Sequence, residues 1–97
     1  MYITLVLCKH NKHSSDTYLF QAPAWRTFRE GDEVMVEAKD DIKRAFVVDY
    51  MSCNPESDEF RFAVKACHAT LPLKRVISRV EYREFKYPEA ENGSDNV

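Results

Sequence analysis

The chain has 97 residues, of which 44% are hydrophobic, and its formal net charge at pH 7 is −2. A chain of this length encloses one modest core, because domains of this size bury roughly two-thirds of the surface that the unfolded chain exposes. No window approaches the ~20 consecutive apolar residues of a membrane-spanning helix. Length and composition therefore exclude such a helix, and we expect one domain and no membrane association.

Charge is distributed unevenly along the chain. Residues 14–60 carry a net charge of −6, residues 61–87 carry +5 and residues 88–97 carry −3. Such a split is typical of separate solvated faces, although it can also steer an anionic partner to one side of a domain. The overall charge does not by itself indicate a nucleic-acid-binding protein.

The N-terminal residues predict a buried strand. Residues 2–7 place apolar side chains on both alternating faces, as in a strand covered on both sides. The three cysteines, Cys8, Cys53 and Cys67, are odd in number and follow no disulfide-framework spacing. Because reduced thiols are typical of a reducing compartment, we expect a cytoplasmic location.

Two further strands are predicted on either side of an aromatic loop. Residues 17–22 alternate until Pro23 removes a backbone donor and ends the pairing. Residues 32–38 alternate clearly, with Val34 and Val36 on one face and acidic side chains on the other. One face of this strand should therefore meet the core.

A hairpin follows, with a polar turn at residues 39–41 and a long strand at residues 42–50. The turn contains no glycine, which disfavours the mirror-image two-residue turns and predicts a slightly longer loop. Asp40 or Asp41 should adopt the left-handed conformation.

Two segments define the C-terminal half. Phe60, Phe62 and Val64 alternate and predict a strand over residues 60–66, and a short helical turn after Pro72 should lead into a final strand at residues 78–85. We expect the domain to comprise residues 1–87. Residues 88–97 lack apolar periodicity and predict a disordered acidic tail.

Residues 18–50 contain a strand, an aromatic loop, the Gly31-Asp32 turn and two further strands. This pattern resembles that of small SH3-like barrels, which include short proteins of bacterial phages and mobile elements. More distantly, it is similar to the N-terminal DNA-binding domain of the primosomal helicase PriA. The resemblance implies a mainly β fold, a small SH3-like barrel of five or six strands with one short helical turn, and a binding role in a phage or mobile-element system.

The aromatic loop is the first candidate binding surface. Trp25 and Phe28, interleaved with Arg26 and Arg29, can stack on bases or on a peptide. The alternative is that Trp25 and Phe28 plug the core, which is the more frequent role of a tryptophan at the end of a small barrel.

The second candidate surface is a row of arginines. Arg75, Arg79 and Arg83 share one face of a regular strand and can match a phosphate backbone. The same charges would protect an edge strand from aggregation. We therefore expect a non-enzymatic binding module, either for nucleic acid through these arginines and the Trp25 loop or for protein through an edge strand or the same loop. The oligomeric state stays open.

Catalytic and metal sites are weakly indicated. Cys8, His10 and His13 lie within six residues, and Cys67 and His68 add two potential ligands, but no Cys-x-x-Cys knuckle fixes a zinc geometry. No carboxylate that could orient a Cys–His pair is identifiable, and no glycine-rich phosphate loop is present. We expect no catalytic residue, no metal and no cofactor.

Overall fold

The computed structural model describes residues 1–80, which form a curled half-barrel of five strands with one helix. The elements are β1 (Ile3–Lys9), β2 (Tyr18–Pro23), β3 (Glu33–Ala38), β4 (Asp41–Cys53), α1 (Asp58–Ala66) and β5 (Val76–Arg79). Their order in the sheet is β2-β1-β4-β3-β5. The prediction of a mainly β fold with five or six strands is confirmed. Arg83 and the predicted acidic tail lie outside the described residues.

The long strand β4 explains why the sheet curls. Its N-terminal half pairs with β3, from Ala38 opposite Asp41 to Glu33 opposite Phe46. Its C-terminal half pairs with β1, as far as Ile3 opposite Cys53. One strand of 13 residues therefore bends between two neighbours, and a β-bulge at the β1 pairing adds to the local twist.

Apolar residues form two clusters, one on each side of β1. The cluster enclosed by the curled sheet contains Val6, Cys8, Phe20, Ala22, Phe28, Val34, Val36, Ala45, Val47 and Val76. The other lies beneath α1 and contains Leu5, Cys53, Phe60 and Leu73. Successive residues of β1 point to opposite faces, so Leu5 and Val6 supply different clusters. This confirms that the first strand is covered on both sides.

The two edge strands, β2 and β5, approach each other and partly close the barrel. The backbone N–H of Gln21 donates to the Lys74 carbonyl at 2.9 Å, and the Gln21 side-chain amide donates to the Leu73 carbonyl at 2.8 Å. Gln21 also forms a parallel bridge with Arg75. We call the line along which β2 and β5 approach the seam.

The hairpin between β3 and β4 differs from its predicted length. Ala38 pairs directly with Asp41, so the loop contains only Lys39 and Asp40. Asp40 has a φ of 62°, which confirms the predicted left-handed aspartate. The longer loop was wrong, because an aspartate tolerates this conformation well enough to close a two-residue turn without glycine.

Residues 60–66 belong to a helix, and the strand predicted there was wrong. The Ser57 hydroxyl caps α1 by accepting a hydrogen bond from the Phe60 N–H, and Asp58 and Glu59 occupy the first turn, where acidic groups are favourable. Phe60, Ala63 and Val64 pack towards the sheet, whereas Phe62 is exposed. The apparent alternation arose from including Phe62 in the apolar set.

The final described strand begins earlier than predicted. β5 starts at Val76, and the segment after Pro72 contains no helical turn. The apolar spacing from Leu73 to Val76 reflects two buried side chains that belong to different clusters. The one helix of the described chain therefore precedes Pro72.

Candidate nucleic-acid interface

The loop between β2 and β3, which we call the Trp25 loop (residues 24–32), is closed by hydrogen bonds at both ends. The Arg26 N–H donates to the Pro23 carbonyl at 3.1 Å. At the other end, the Arg29 N–H donates to Oδ2 of Asp32 at 2.8 Å, and the Gly31 N–H donates to the Val47 carbonyl at 2.7 Å. Gly31 has a φ of 91°, which glycine adopts without strain. The loop is therefore anchored to the sheet.

The two aromatic residues of the loop have opposite environments. Phe28 is only 4% exposed and belongs to the barrel core, where its ring packs near Tyr50. Trp25 is 74% exposed. The expectation that Trp25 plugs the core was wrong, because Phe28 is the loop aromatic that packs in the core and Trp25 lies in the turn that follows β2.

Arg26 packs on Trp25. Its guanidinium carbon lies 5.0 Å from the centroid of the indole ring, within the range of a cation–π contact. The Arg26 Nε is buried and has no hydrogen-bond partner among residues 1–80. Arg26 therefore restrains the indole ring, and most of the Trp25 side chain stays exposed to solvent.

Arg79 brings β5 to the same loop. Its Nη1 donates to the Thr27 carbonyl at 3.4 Å and lies 3.6 Å from Oδ2 of Asp32. These partners are about fifty positions away in the sequence. A groove of about 330 Å³ is lined by Trp25, Arg26, Thr27, Ser78 and Arg79, and we call it the Trp25 groove. Thr27 and Arg79 also line an adjacent groove, together with Phe28, Arg29 and Asp32.

The predicted arginine stripe is broken between Arg75 and Arg79. The pairing of β3 with β5 sets Val76 opposite Val36 and Arg79 opposite Val34, so Val76 and Arg79 lie on one side of β5 although they are three residues apart. A register irregularity between Met35 and Val36 accounts for this. Arg75, which directly precedes Val76, therefore lies on the other side, and the single-face prediction was wrong.

Arg75 is engaged by an acidic side chain at the end of β3. Its Nη2 lies 2.7 Å from Oε2 of Glu37, and its backbone N–H donates to Oε1. The hydrogen bonds from Arg75 hold the pKa of Glu37 below its usual value, and Glu37 in turn raises the pKa of Arg75. Arg75 and Arg26 both line a second groove of about 440 Å³ along the seam.

No protein-family model, no curated protein and no solved structure matches this chain. The helix that the structure describes within residues 1–80 is too short to cross a membrane. The candidate site is therefore defined by its own geometry.

The residues of the metal hypothesis do not form a ligand set in the fold. Cys8 is fully buried in the barrel core, and burial raises the pKa of its thiol to about 12. His10 is exposed and its Nδ1 lies 3.0 Å from the Arg44 carbonyl. Within residues 1–80, no group of three His, Cys, Asp or Glu side chains is arranged to hold a metal ion.

Three residues at the site were missed by sequence reasoning. Gln21 holds the seam, Glu37 neutralises Arg75, and the Thr27 carbonyl receives Arg79. Alternation placed Glu37 on the outer face of its strand, which was a usable signal. Its partner is 38 residues away, however, and no local pattern indicates that pairing.

Proposed function

We propose that the protein is a non-enzymatic module that binds single-stranded nucleic acid through Trp25, Arg26, Arg29 and Arg79. The observation that carries the proposal is the contact between Arg79 and Thr27, since it joins the basic end of β5 to the exposed tryptophan in one surface. Proteins that bind single strands combine these two elements, stacking bases on aromatic rings and binding phosphates with cations.

Trp25 favours a single strand over a duplex. A base inside a duplex is already stacked on its neighbours, whereas an unpaired base can lie against the indole. Such stacking is worth about 1–3 kcal/mol per base. The contact with Arg26 holds the indole in place before the ligand arrives, which reduces the entropy lost on binding.

The arginines differ in how much charge they offer to phosphates. Among residues 1–80, no acidic side chain forms an ion pair with Arg26 or Arg29, whereas Arg79 lies near Asp32 and Arg75 is bound to Glu37. The Arg79–Asp32 distance of 3.6 Å is longer than the Arg75–Glu37 distance of 2.7 Å, so we assign phosphate contacts to Arg26, Arg29 and Arg79 and none to Arg75. Three such contacts to a single strand predict a slope of about −2 in a plot of log affinity against log salt concentration.

Fluorescence anisotropy with labelled single-stranded DNA, single-stranded RNA and duplex DNA at low and moderate salt tests the proposal. Arg26→Ala and Arg79→Ala should weaken binding and make the salt slope shallower, by roughly 0.7 for each lost phosphate contact. Arg61→Ala is the matched control, because Arg61 lies on α1, pairs with Asp58 and lines none of these grooves. Unchanged affinity in Arg26→Ala and Arg79→Ala would contradict the proposal.

Protein–protein interaction is the second candidate function. A cleft of about 150 Å³ between α1 and the sheet is lined mostly by apolar side chains, among them Leu7, Met51 and Ala63. Met51 is partly exposed there, and Phe62 on the same helix is 75% exposed. Self-association that persists at high salt and disappears in Phe62→Ser, measured by sedimentation velocity, would support this alternative.

We further infer a cytoplasmic location and a role in a phage- or mobile-element-derived system. Both inferences rest on the cysteine pattern and on the resemblance of residues 18–50 to small barrels. They stay predictions.

A further inference from the structure

Another groove opens at the end of the seam farther from Trp25, beside the start of β2. It has a volume of about 430 Å³, and we call it the Tyr18 groove. Its lining includes His10, Tyr18, Glu37, Cys67, His68 and Lys74. The groove of about 440 Å³ along the seam lies between this groove and the Trp25 groove, and its lining includes Gln21, whose two hydrogen bonds join β2 to residues 73 and 74.

One wall of the Tyr18 groove is aromatic. Tyr18 is 48% exposed, and the His10 ring lies against it with a centroid distance of 5.2 Å and a tilt of 45°. His10 also meets Phe20 edge to face. Because a carbonyl only accepts hydrogen bonds, the contact to the Arg44 carbonyl assigns the proton to Nδ1 of His10 and fixes the ring orientation. The wall is therefore held in place before a ligand binds.

The opposite wall offers positive charge. Lys74 supplies this charge, His68 also lines the groove, and the carboxylate of Glu37 is hydrogen-bonded by Arg75. His68 has a φ of 54°, a conformation that glycine usually adopts after a helix. The Cys67 and His68 N–H groups donate to the carbonyls of Ala63 and Lys65, so the end of α1 presents fewer unpaired carbonyls to an anion.

We propose that the Tyr18 groove is a second subsite for one nucleotide of the same single strand, with a base stacked on Tyr18 and a phosphate bound by Lys74. This inference rests on the proposed nucleic-acid function. Arg26 lines both the Trp25 groove and the groove of about 440 Å³ along the seam. Arg75 also lines that seam groove, and the preceding residue, Lys74, lines the Tyr18 groove, so the three grooves give a strand a path from Trp25 to Lys74.

The length of the seam fits this path. Tyr18 and Pro23 are five residue steps apart on β2, which corresponds to about 17 Å of extended chain. Barrels that bind single strands cover about 4 nucleotides or more. A ligand that fills both grooves must therefore be longer than one that fills the Trp25 groove alone.

The experiment compares two labelled oligothymidylates, one of about three nucleotides and one of about eight, by fluorescence anisotropy. Tyr18→Ala should weaken binding of the longer oligonucleotide by about 5-fold or more and leave the shorter one unchanged. Tyr18→Phe should restore the affinity because it keeps the ring. Tyr2→Ala is the matched control, since Tyr2 is 60% exposed and lines neither groove.

The outcomes separate this inference from the function on which it rests. If Trp25→Ala weakens binding but Tyr18→Ala leaves the longer oligonucleotide unchanged, the second subsite is overturned and the proposed function stands. Equal losses for both lengths in Tyr18→Ala would also overturn the second subsite. Absence of binding by the unmodified protein to either oligonucleotide would overturn the proposed function and this inference together.

Discussion

Glu37 binds Arg75 through three hydrogen bonds, and this pair joins the end of β3 to the segment that enters β5. The Arg75 backbone N–H donates to Oε1 at 2.8 Å, while Nε and Nη2 donate to Oε2 at 3.1 and 2.7 Å. The basic segment of residues 61–87 therefore presents less free charge than its composition suggests. Arg75 also lowers the pKa of the Glu37 carboxylate.

We expect the Glu37–Arg75 pair to make the free energy of unfolding depend on pH in the acid range. Since Arg75 lowers the pKa of Glu37, the unfolded chain takes up a proton at Glu37 at a higher pH than the folded chain does. The stability from this pair is thus present at neutral pH and lost as the pH falls below the usual glutamate pKa of about 4.3 and through the lowered value. Urea unfolding at several pH values measures this loss.

Glu37→Gln should lose less stability in acid than the unmodified protein does, because glutamine does not titrate. Glu56→Gln is the control, since Glu56 is exposed and its side chain forms no ion pair within residues 1–80. The same pH dependence in Glu37→Gln and in the unmodified protein would show that the pair contributes nothing.

Substitutions at the two aromatic residues of the Trp25 loop should separate binding from folding. Phe28→Ala should lower the free energy of unfolding by about 3–5 kcal/mol, because it leaves a cavity in the barrel core. Trp25→Ala should leave stability nearly unchanged and weaken oligonucleotide binding by about 5-fold or more. Chemical denaturation and anisotropy measure the two effects. A comparable loss of stability in both variants would mean that Trp25 supports the fold.

Ser57 should contribute measurably to stability through the N-terminus of α1. Its hydroxyl accepts from the Phe60 N–H at 3.2 Å and donates to the Asn54 carbonyl at 2.7 Å. Ser57→Ala should therefore lower the free energy of unfolding by about 1 kcal/mol, as measured by urea denaturation. Ser57→Thr keeps the hydroxyl and should retain most of that stability. Identical midpoints for Ser57→Ala and the unmodified protein would argue against the cap.

The three cysteines should differ in reactivity towards a maleimide. Cys67 is partly exposed, whereas Cys8 and Cys53 are buried, and burial raises the pKa of Cys8 to about 12. The thiolate is the reactive form, so Cys67 should be labelled first and Cys8 only after unfolding. Mass spectrometry of the labelled native protein identifies the site, with the urea-unfolded protein as the control. Rapid native labelling of Cys8 would contradict its place in the core.

Local patterns in the sequence were sufficient for much of the fold. The alternation of Val34 and Val36 predicted the core face of β3, and the glycine-free turn predicted a left-handed aspartate at position 40 or 41, which is Asp40. Local patterns gave the wrong element for residues 60–66, because Phe62 completes an alternation typical of a strand. Ser57, which caps the helix, was the residue that indicated α1. A short amphipathic helix and a short strand share too many apolar positions to be separated by spacing alone.

The candidate site depends on information that no local window contains. The sequence drew attention to Trp25 and Arg79 separately, but only the register of β3 with β5 brings them to one groove. The irregularity at Met35 and Val36 determines which side of β5 carries Arg79, and a bulge is not visible in an otherwise regular alternation. The same is true of Gln21, whose partners lie across the seam.

The most direct test of the central claim uses Trp25 itself, because it is the single tryptophan of the 97-residue chain. Its emission is followed while an unlabelled single-stranded oligonucleotide is added at low and at moderate salt. We predict saturable quenching as bases stack on the indole, with affinity falling as salt rises at a log–log slope of about −2. Emission that stays unchanged throughout the titration at low salt would contradict the claim that this surface binds nucleic acid.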